Sequence, residues 1–286
     1  MADAATEASP AVRSWAPPGL VVRITSGVVI GLAVLGLLLI GIWGVVIIVA
    51  IAGGLALWEF RGLSARMGFR APSWLLFPLG AFFAYGPTLL KGVSIETVLG
   101  FALVLGSTTL LFVPGRRQGL GRWAMGLAGA VYVGLPFNYY LRLYTAQPSA
   151  HGIWWIVTTV VAVVAMDVSA LLVGSRLGRT PLMPAISPKK TWEGAIAGMV
   201  ASIIVVLVGG FAFLGLTWWQ AIAIGVLIGA AAVLGDLVES QMKRMARVKD
   251  SSHLIPGHGG VLDRLDSLLF PPIVVYLFAY YVGILH

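Results

Sequence analysis

Between Ser240 and Asp266 the chain reads SQMKRMARVKDSSHLIPGHGGVLDRLD, a run with five cations and three acids. Asp263 and Asp266 stand three residues apart, so on a helix their carboxylates leave one face. Just upstream, Asp236, Ser240, Lys243, Arg244 and Arg247 follow helical spacing and share a face too. Asp236, Asp263 and Asp266 are hard-oxygen donors of the kind Mg2+ takes, one or two at a time, beside waters and substrate phosphates. The stretch Ile255-Pro256-Gly257-His258-Gly259-Gly260 can turn successive N–H groups toward an anion, because glycine tolerates positive φ. Lys243, Arg244, Lys249 and Arg264 would offset phosphate charge. Together these residues describe a site for a metal-bound polyphosphate. Taken singly, each piece has a plainer use as a solvated helix end, a turn or a helix cap.

A second cluster, Ser187-Pro188-Lys189-Lys190-Thr191-Trp192-Glu193-Gly194, offers two hydroxyls and two cations on a stiffened loop. A juxtamembrane basic loop with a helix cap would look the same. Asp167 lies deep in an apolar run, where an acid is by default functional or paired. Of the histidines, His258 between glycines could touch a phosphate, His151 and His286 read as surface residues on the far side, and His253 has no assignable role. No Ser/His/Asp arrangement or HExxH pattern is present.

The elements that must position these groups are membrane helices. Apolar windows near the ~20-residue spanning length fall at 24–41, 42–60, 73–90, 95–113, 121–141, 153–175, 194–215, 218–238 and 268–285. The expectation is an all-α polytopic bundle of nine transmembrane helices with a polar cavity facing the cytoplasm. The eighth helix should continue past the membrane through Arg247, and Asp263-Arg264-Leu265-Asp266 should open the last one. The first two windows nearly touch at Gly41, which predicts a tight hairpin. Lys and Arg settle the orientation. Seventeen fall in the tail and even-numbered loops, and only Lys91 and Arg142 in the odd ones. The N-terminus and the charged stretch should face the cytoplasm at the cell's inner (plasma) membrane.

Composition agrees. Hydrophobic residues make up 59% and charged residues 10%, and the mean hydropathy is +0.94. A soluble domain carries about 25% charged residues, so that class is excluded. The 36 glycines suit close helix packing in lipid. With no cysteine, disulfides and thiolate chemistry are excluded. The net charge of +8 reads as basic loops facing anionic lipid, with no nucleic-acid partner. Residues 1–23 lack a basic signal-peptide start and read as a disordered cytoplasmic tail. Residues 24–150 form the N-terminal transmembrane part, and 151–286 the catalytic part with the signature at 240–266.

At these residues the chain resembles the phosphatidate cytidylyltransferases, or CDP-diacylglycerol synthases. The family signature is matched at Ser240, Met242, Lys243, Arg244, Lys249, Asp250, Ser252, Ile255, Pro256, His258, Gly259, Gly260, Val261, Asp263, Arg264 and Asp266. Ser187 to Gly194 is similar to the family's SPKKTxEG motif. The chain departs from the pattern after Asp167, where Val168-Ser169-Ala170-Leu171 replaces a small residue, Gly, Ala and an aromatic, while Gly174 and Arg176 are kept.

The resemblance implies Mg2+-dependent conversion of CTP and phosphatidate into CDP-diacylglycerol and pyrophosphate, in phospholipid biosynthesis, with a homodimer by analogy. It implies metal ligands at Asp236, Asp263 and Asp266, with a second cation bridging the phosphates as an option. Catalytic charge would come from Lys243, Arg244, Lys249 and Arg264. Ser187, Lys189, Lys190, Ser240, His258, Gly259, Gly260 and Asp167 would bind substrate. Rival readings are an isoprenoid phosphate cytidylyltransferase, a CTP-dependent polyprenol kinase and an ion-coupled transporter. The transporter would spread its charges through the membrane depth, and here they gather on one side.

Overall fold

The computed structural model describes residues 19–90, 92–109, 111, 116–146 and 152–285. The tail through Pro18, Lys91, His151 and His286 lie outside the described residues. Helices come in the order α1 (Leu20–Leu38), α2 (Ile42–Arg66), α3 (Ser73–Leu89), α4 (Ile95–Thr109) and α5 (Arg116–Gly129). A π turn at Ala130–Gly134 joins α5 to α6 (Leu135–Thr145), and α7 spans Gly152–Leu177. Strands β1 (Pro181–Met183) and β2 (Ser187–Thr191) precede α8 (Trp192–Gly209), which runs into a π turn at Gly210–Leu214. Then come α9 (Trp218–Met245), the single turn α10 (Leu262–Leu265) and α11 (Pro271–Tyr281).

Among the described residues a helix falls within each of the nine apolar windows, and four are long and apolar enough to cross a membrane: α2, α7, α8 with its π turn, and α9. Shorter apolar helices lie at Thr25–Leu38, Ile95–Thr108 and Pro271–Tyr281. Side chains such as Val164, Val208 and Phe211 project from the outer surface, as lipid-facing residues do. The chain is an all-α membrane protein with one small hairpin.

The glycines let these helices close on one another. A Cβ on Gly198 of α8 would stand 2.8 Å from the Met166 carbonyl oxygen of α7, and one on Gly225 of α9 would stand 2.6 Å from Ile203 Cα of α8. That packing joins α7, α8 and α9 into a sheaf. A buried cluster including Leu63, Leu76, Phe83 and Leu141 unites α2, α3 and α6. A second, with Ile224, Ile228 and Val275, seats α9 against α11.

Four local expectations change. Helix α1 begins at Leu20, so it takes in the last residues of the expected tail. The expected basic loop folds as an antiparallel hairpin, with Pro181 opposite Thr191 and Met183 opposite Ser187. Helix α9 stops at Met245 because Arg247 adopts φ 55, and the Arg247 and Val248 N–H groups cap the Arg244 and Lys243 carbonyls. Arg247 therefore leaves the face it was expected to share. Finally, Asp263 to Asp266 does not open the last helix. The pair Pro271-Pro272 restricts the residue before it and starts a new helix, leaving α10 as a separate turn. The hairpin expected at Gly41 is present, with φ 78 at that glycine.

Candidate active site

Lys243 sits near the end of α9, one turn beyond Glu239 and close to α10. Its Nζ forms ion pairs with the fully buried Glu239 and with Asp263, the latter at 2.7 Å to Oδ1. One turn earlier, Asp236 accepts the Ser240 hydroxyl at 3.2 Å and pairs with Lys190 of β2. Arg244 Nε donates to the Ile186 carbonyl at 3.3 Å, so the hairpin is tied to α9 at two points. The two sequence clusters therefore meet.

Asp263 is held from the loop side as well. Its Oδ2 accepts the N–H groups of Ser251 at 2.9 Å and Gly260 at 2.8 Å. Burial opposes ionisation of this carboxyl, but Lys243 and the two N–H groups outweigh it and hold the carboxyl below its ordinary range. Asp266 behaves differently. Burial, and then the neighbouring charge of Asp236, pushes its carboxyl up to about 7, although Ser267 N–H donates to it at 2.6 Å. Asp167 of α7 lies beside the Ser267 hydroxyl and feels Asp236, Lys190 and Arg264.

These groups line a cavity of about 650 Å³ between α7, β2, α8, α9 and α10. Of the expected residues, Asp167, Lys189, Lys190, Asp236, Lys243, Asp263, Arg264 and Asp266 are on its wall. Ser187, Ser240, Arg244, Lys249, His258, Gly259 and Gly260 are not among the lining residues. Asp250, matched in the signature but given no role there, joins the wall.

The glycine loop binds anions, but they are the protein's own. Gly260 N–H serves Asp263, while the Val261 and Leu262 N–H groups donate to Glu59 at 2.8 and 2.6 Å. His258 N–H closes onto the Ile255 carbonyl, and its Nδ1 is 2.9 Å from the Ser26 hydroxyl of α1. A Cβ at Gly260 would collide with Ser251 Oγ at 2.0 Å and with the Glu59 carboxylate, so only glycine fits there. Of the residues expected to contact phosphate, Gly260 already gives its N–H to Asp263, and His258 reaches Ser26 through Nδ1.

Glu59 of α2, 1% exposed, is the site residue that the sequence reading passed over. Besides the two N–H groups it accepts the Ser252 hydroxyl at 2.6 Å and lies 2.8 Å from that of Ser251. The rule that drew attention to Asp167, an acid inside an apolar window, applies equally to Glu59 in the window 42–60.

The cytidylyltransferase family model matches this chain over residues 21–282. The chain belongs to that family. A protein from Mycobacterium bovis named phosphatidate cytidylyltransferase is 33% identical over 205 residues, covering 71% of this chain and 66% of the relative. One of the same name from Synechocystis is 43% identical over 148 residues, half of each chain. The chloroplastic phosphatidate cytidylyltransferase 5 of Arabidopsis thaliana is 47% identical over 131 residues, 44% of this chain and 32% of its own. The chain spans 61% to 66% of the length of the mycobacterial relatives it matches. In this cytidylyltransferase family member the signature thus divides by task. Its Lys243, Asp263, Arg264 and Asp266 face the cavity, while Ser252 and Val261 fasten the loop to Glu59 and the Gly260 N–H holds Asp263.

Proposed function

We propose that this chain transfers the cytidylyl group of CTP to phosphatidate, yielding CDP-diacylglycerol and pyrophosphate. The observation that carries the proposal is a single cavity in a membrane protein, walled by five aspartates and by Lys189, Lys190, Lys243 and Arg264. The names of the relatives support it. An oxygen of the lipid phosphate forms a bond to the α-phosphorus of CTP, and the bond from that phosphorus to the bridging oxygen breaks. The lipid phosphate is already an anion, so the step needs no strong base. Its obstacle is the approach of two anions, which fixed cations offset.

Lys189 and Lys190 on β2 and Arg264 on α10 line the cavity and would hold the phosphates. Lys243 shares their cavity, with Glu239 and Asp263 fixing its ammonium group. The acids fit a divalent cation. Burial and Asp236 drive Asp266 toward its neutral form, a conflict that a bound cation relieves. Among the described residues no group of three or more acids or histidines is placed to hold a metal ion by itself. That suits Mg2+, which uses few carboxylates and completes its shell with water and phosphate. Asp236 and Asp266 would hold it, while both oxygens of Asp263 are engaged, Oδ1 by Lys243 and Oδ2 by the loop. When bound, the ion supplies positive charge to the reacting phosphates.

The proposal extends to topology. All nine apolar segments cross the inner membrane, with the N-terminus and cavity on the cytoplasmic side, because seventeen of the nineteen Lys and Arg fall in loops of that side. CTP would then arrive from water and phosphatidate from the adjoining leaflet.

The deciding experiment is pyrophosphate release by detergent-purified protein given CTP, phosphatidate and Mg2+. Release that requires all three and vanishes with EDTA supports the proposal. Release of CDP instead would replace it with a CTP-dependent lipid kinase.

A further inference from the structure

A second pocket, of about 420 Å³, lies where the end of α2, the 67–72 turn, the start of α3 and α5 come together. It shares no lining residue with the reaction cavity. Arg61, Arg70 and Arg122 converge on it, with Pro72, Trp74 and Trp123 completing the wall, and no acid lines it. Among the described residues, no carboxylate forms an ion pair with any of the three arginines. Arg61 is steered into place by a hydrogen bond from Nε to the Ala71 carbonyl at 3.2 Å, which leaves its terminal nitrogens to donate elsewhere. Among the described residues, Arg122 hydrogen-bonds the neutral Gln118 oxygen, at 3.4 Å.

Three guanidinium groups around one concavity repel one another until an anion joins them. Guanidinium forks match phosphate oxygens in geometry as well as charge. The position selects the carrier of that phosphate. Counting 1.5 Å per residue from Ile42, a helix crosses a hydrocarbon core of about 30 Å in about 20 residues and emerges near Arg61. Trp74 is 56% exposed beside it, and tryptophan favours the headgroup level of a bilayer. We propose that this pocket binds the phosphate of an anionic phospholipid at the membrane interface, separately from the reaction cavity.

The test is binding without CTP, so it stands apart from the reaction proposed above. The full-length protein in detergent is titrated with phosphatidylglycerol, and separately with phosphatidylcholine of the same acyl chains, while native mass spectrometry reads the bound lipid. The wild type should prefer phosphatidylglycerol by at least about tenfold, the scale of one charge-assisted contact. Arg70→Gln/Arg122→Gln should lose that preference with an unchanged melting temperature. Arg61 is kept because it also ties the 67–72 turn. If the double variant melts early, Arg70→Gln alone should still lower the preference severalfold, since Arg70 is an exposed turn residue. Equal preference in wild type and the folded variant overturns the proposal. So does displacement by millimolar inorganic phosphate with no dependence on acyl chains, which would mark a site for free anions.

Discussion

The carboxylate of Glu59 accepts the hydroxyl of Ser252 at 2.6 Å, joining positions 193 residues apart. The same carboxylate takes the Val261 and Leu262 N–H groups, so one buried acid in α2 fixes both ends of the segment that leads into Asp263. Glu59→Ala should leave these donors without partners. The expected cost is about 1–3 kcal/mol for each donor that water cannot reach. Glu59→Gln keeps one acceptor oxygen but turns an N–H2 group toward the remaining donors. Thermal unfolding should show a large drop for alanine and a smaller one for glutamine. Turnover should fall at least tenfold in both, because Asp263 loses its fixed position.

Lys243 stands between two carboxylates that its removal would strand. Glu239 is fully buried and Asp263 is 8% exposed. Lys243→Met should therefore destabilise the protein by about 3–5 kcal/mol, the cost of breaking a buried pair from one side. Adding Glu239→Gln should recover part of the stability, since the stranded charge is gone, and none of the activity. A double-mutant cycle read by thermal unfolding and turnover separates the two effects. Additive stability losses would show that Glu239 does not depend on Lys243.

The Lys190 to Asp236 pair should separate function from folding in the opposite sense. Both side chains are about one quarter exposed, at 26% and 25%. Pairs open to solvent stabilise by about 1 kcal/mol or less. Lys190→Ala should thus barely change the melting temperature. Its loss from the cavity wall should cut turnover by at least about a hundredfold, the scale of one lost transition-state contact. A melting shift as large as that of Lys243→Met would instead make Lys190 an architectural residue.

Much of this was legible from residue types. Hydropathy places the helices, because a spanning helix needs a length of apolar residues that nothing else in the chain supplies. The signature's cations and acids announce a phosphate site through cost, since lipid offers them no other home. What the sequence could not show is which acids face which partners. The loop from Ile255 to Gly260 was expected to cradle a substrate anion, and the structure points the Gly260 N–H at Asp263 and the next two, of Val261 and Leu262, at Glu59. A nest reads the same whichever anion fills it. Glu59 lies about 200 positions before its donors, so no local pattern ties them. The break before α11 has a signal in Pro271-Pro272, which lies inside the apolar window 268–285.

Withholding divalent cations gives the most direct test of the acidic wall. Asp266 is driven toward neutrality by burial and by Asp236, yet it lines the same cavity as Lys190 and Lys243. Its two partners on Ser267 do not overcome that repulsion. A cation between Asp236 and Asp266 would favour both charges, and its loss should cost activity before it costs structure, because Glu59 and Asp263 hold the loop without it. EDTA should abolish pyrophosphate release while the melting temperature moves little, and added Mg2+ should restore turnover. Asp266→Asn should remain inactive at any Mg2+ concentration and melt at or above the wild-type temperature in EDTA, since the substitution removes the conflict with Asp236. Full turnover of this variant in Mg2+ would remove Asp266 from the cation site.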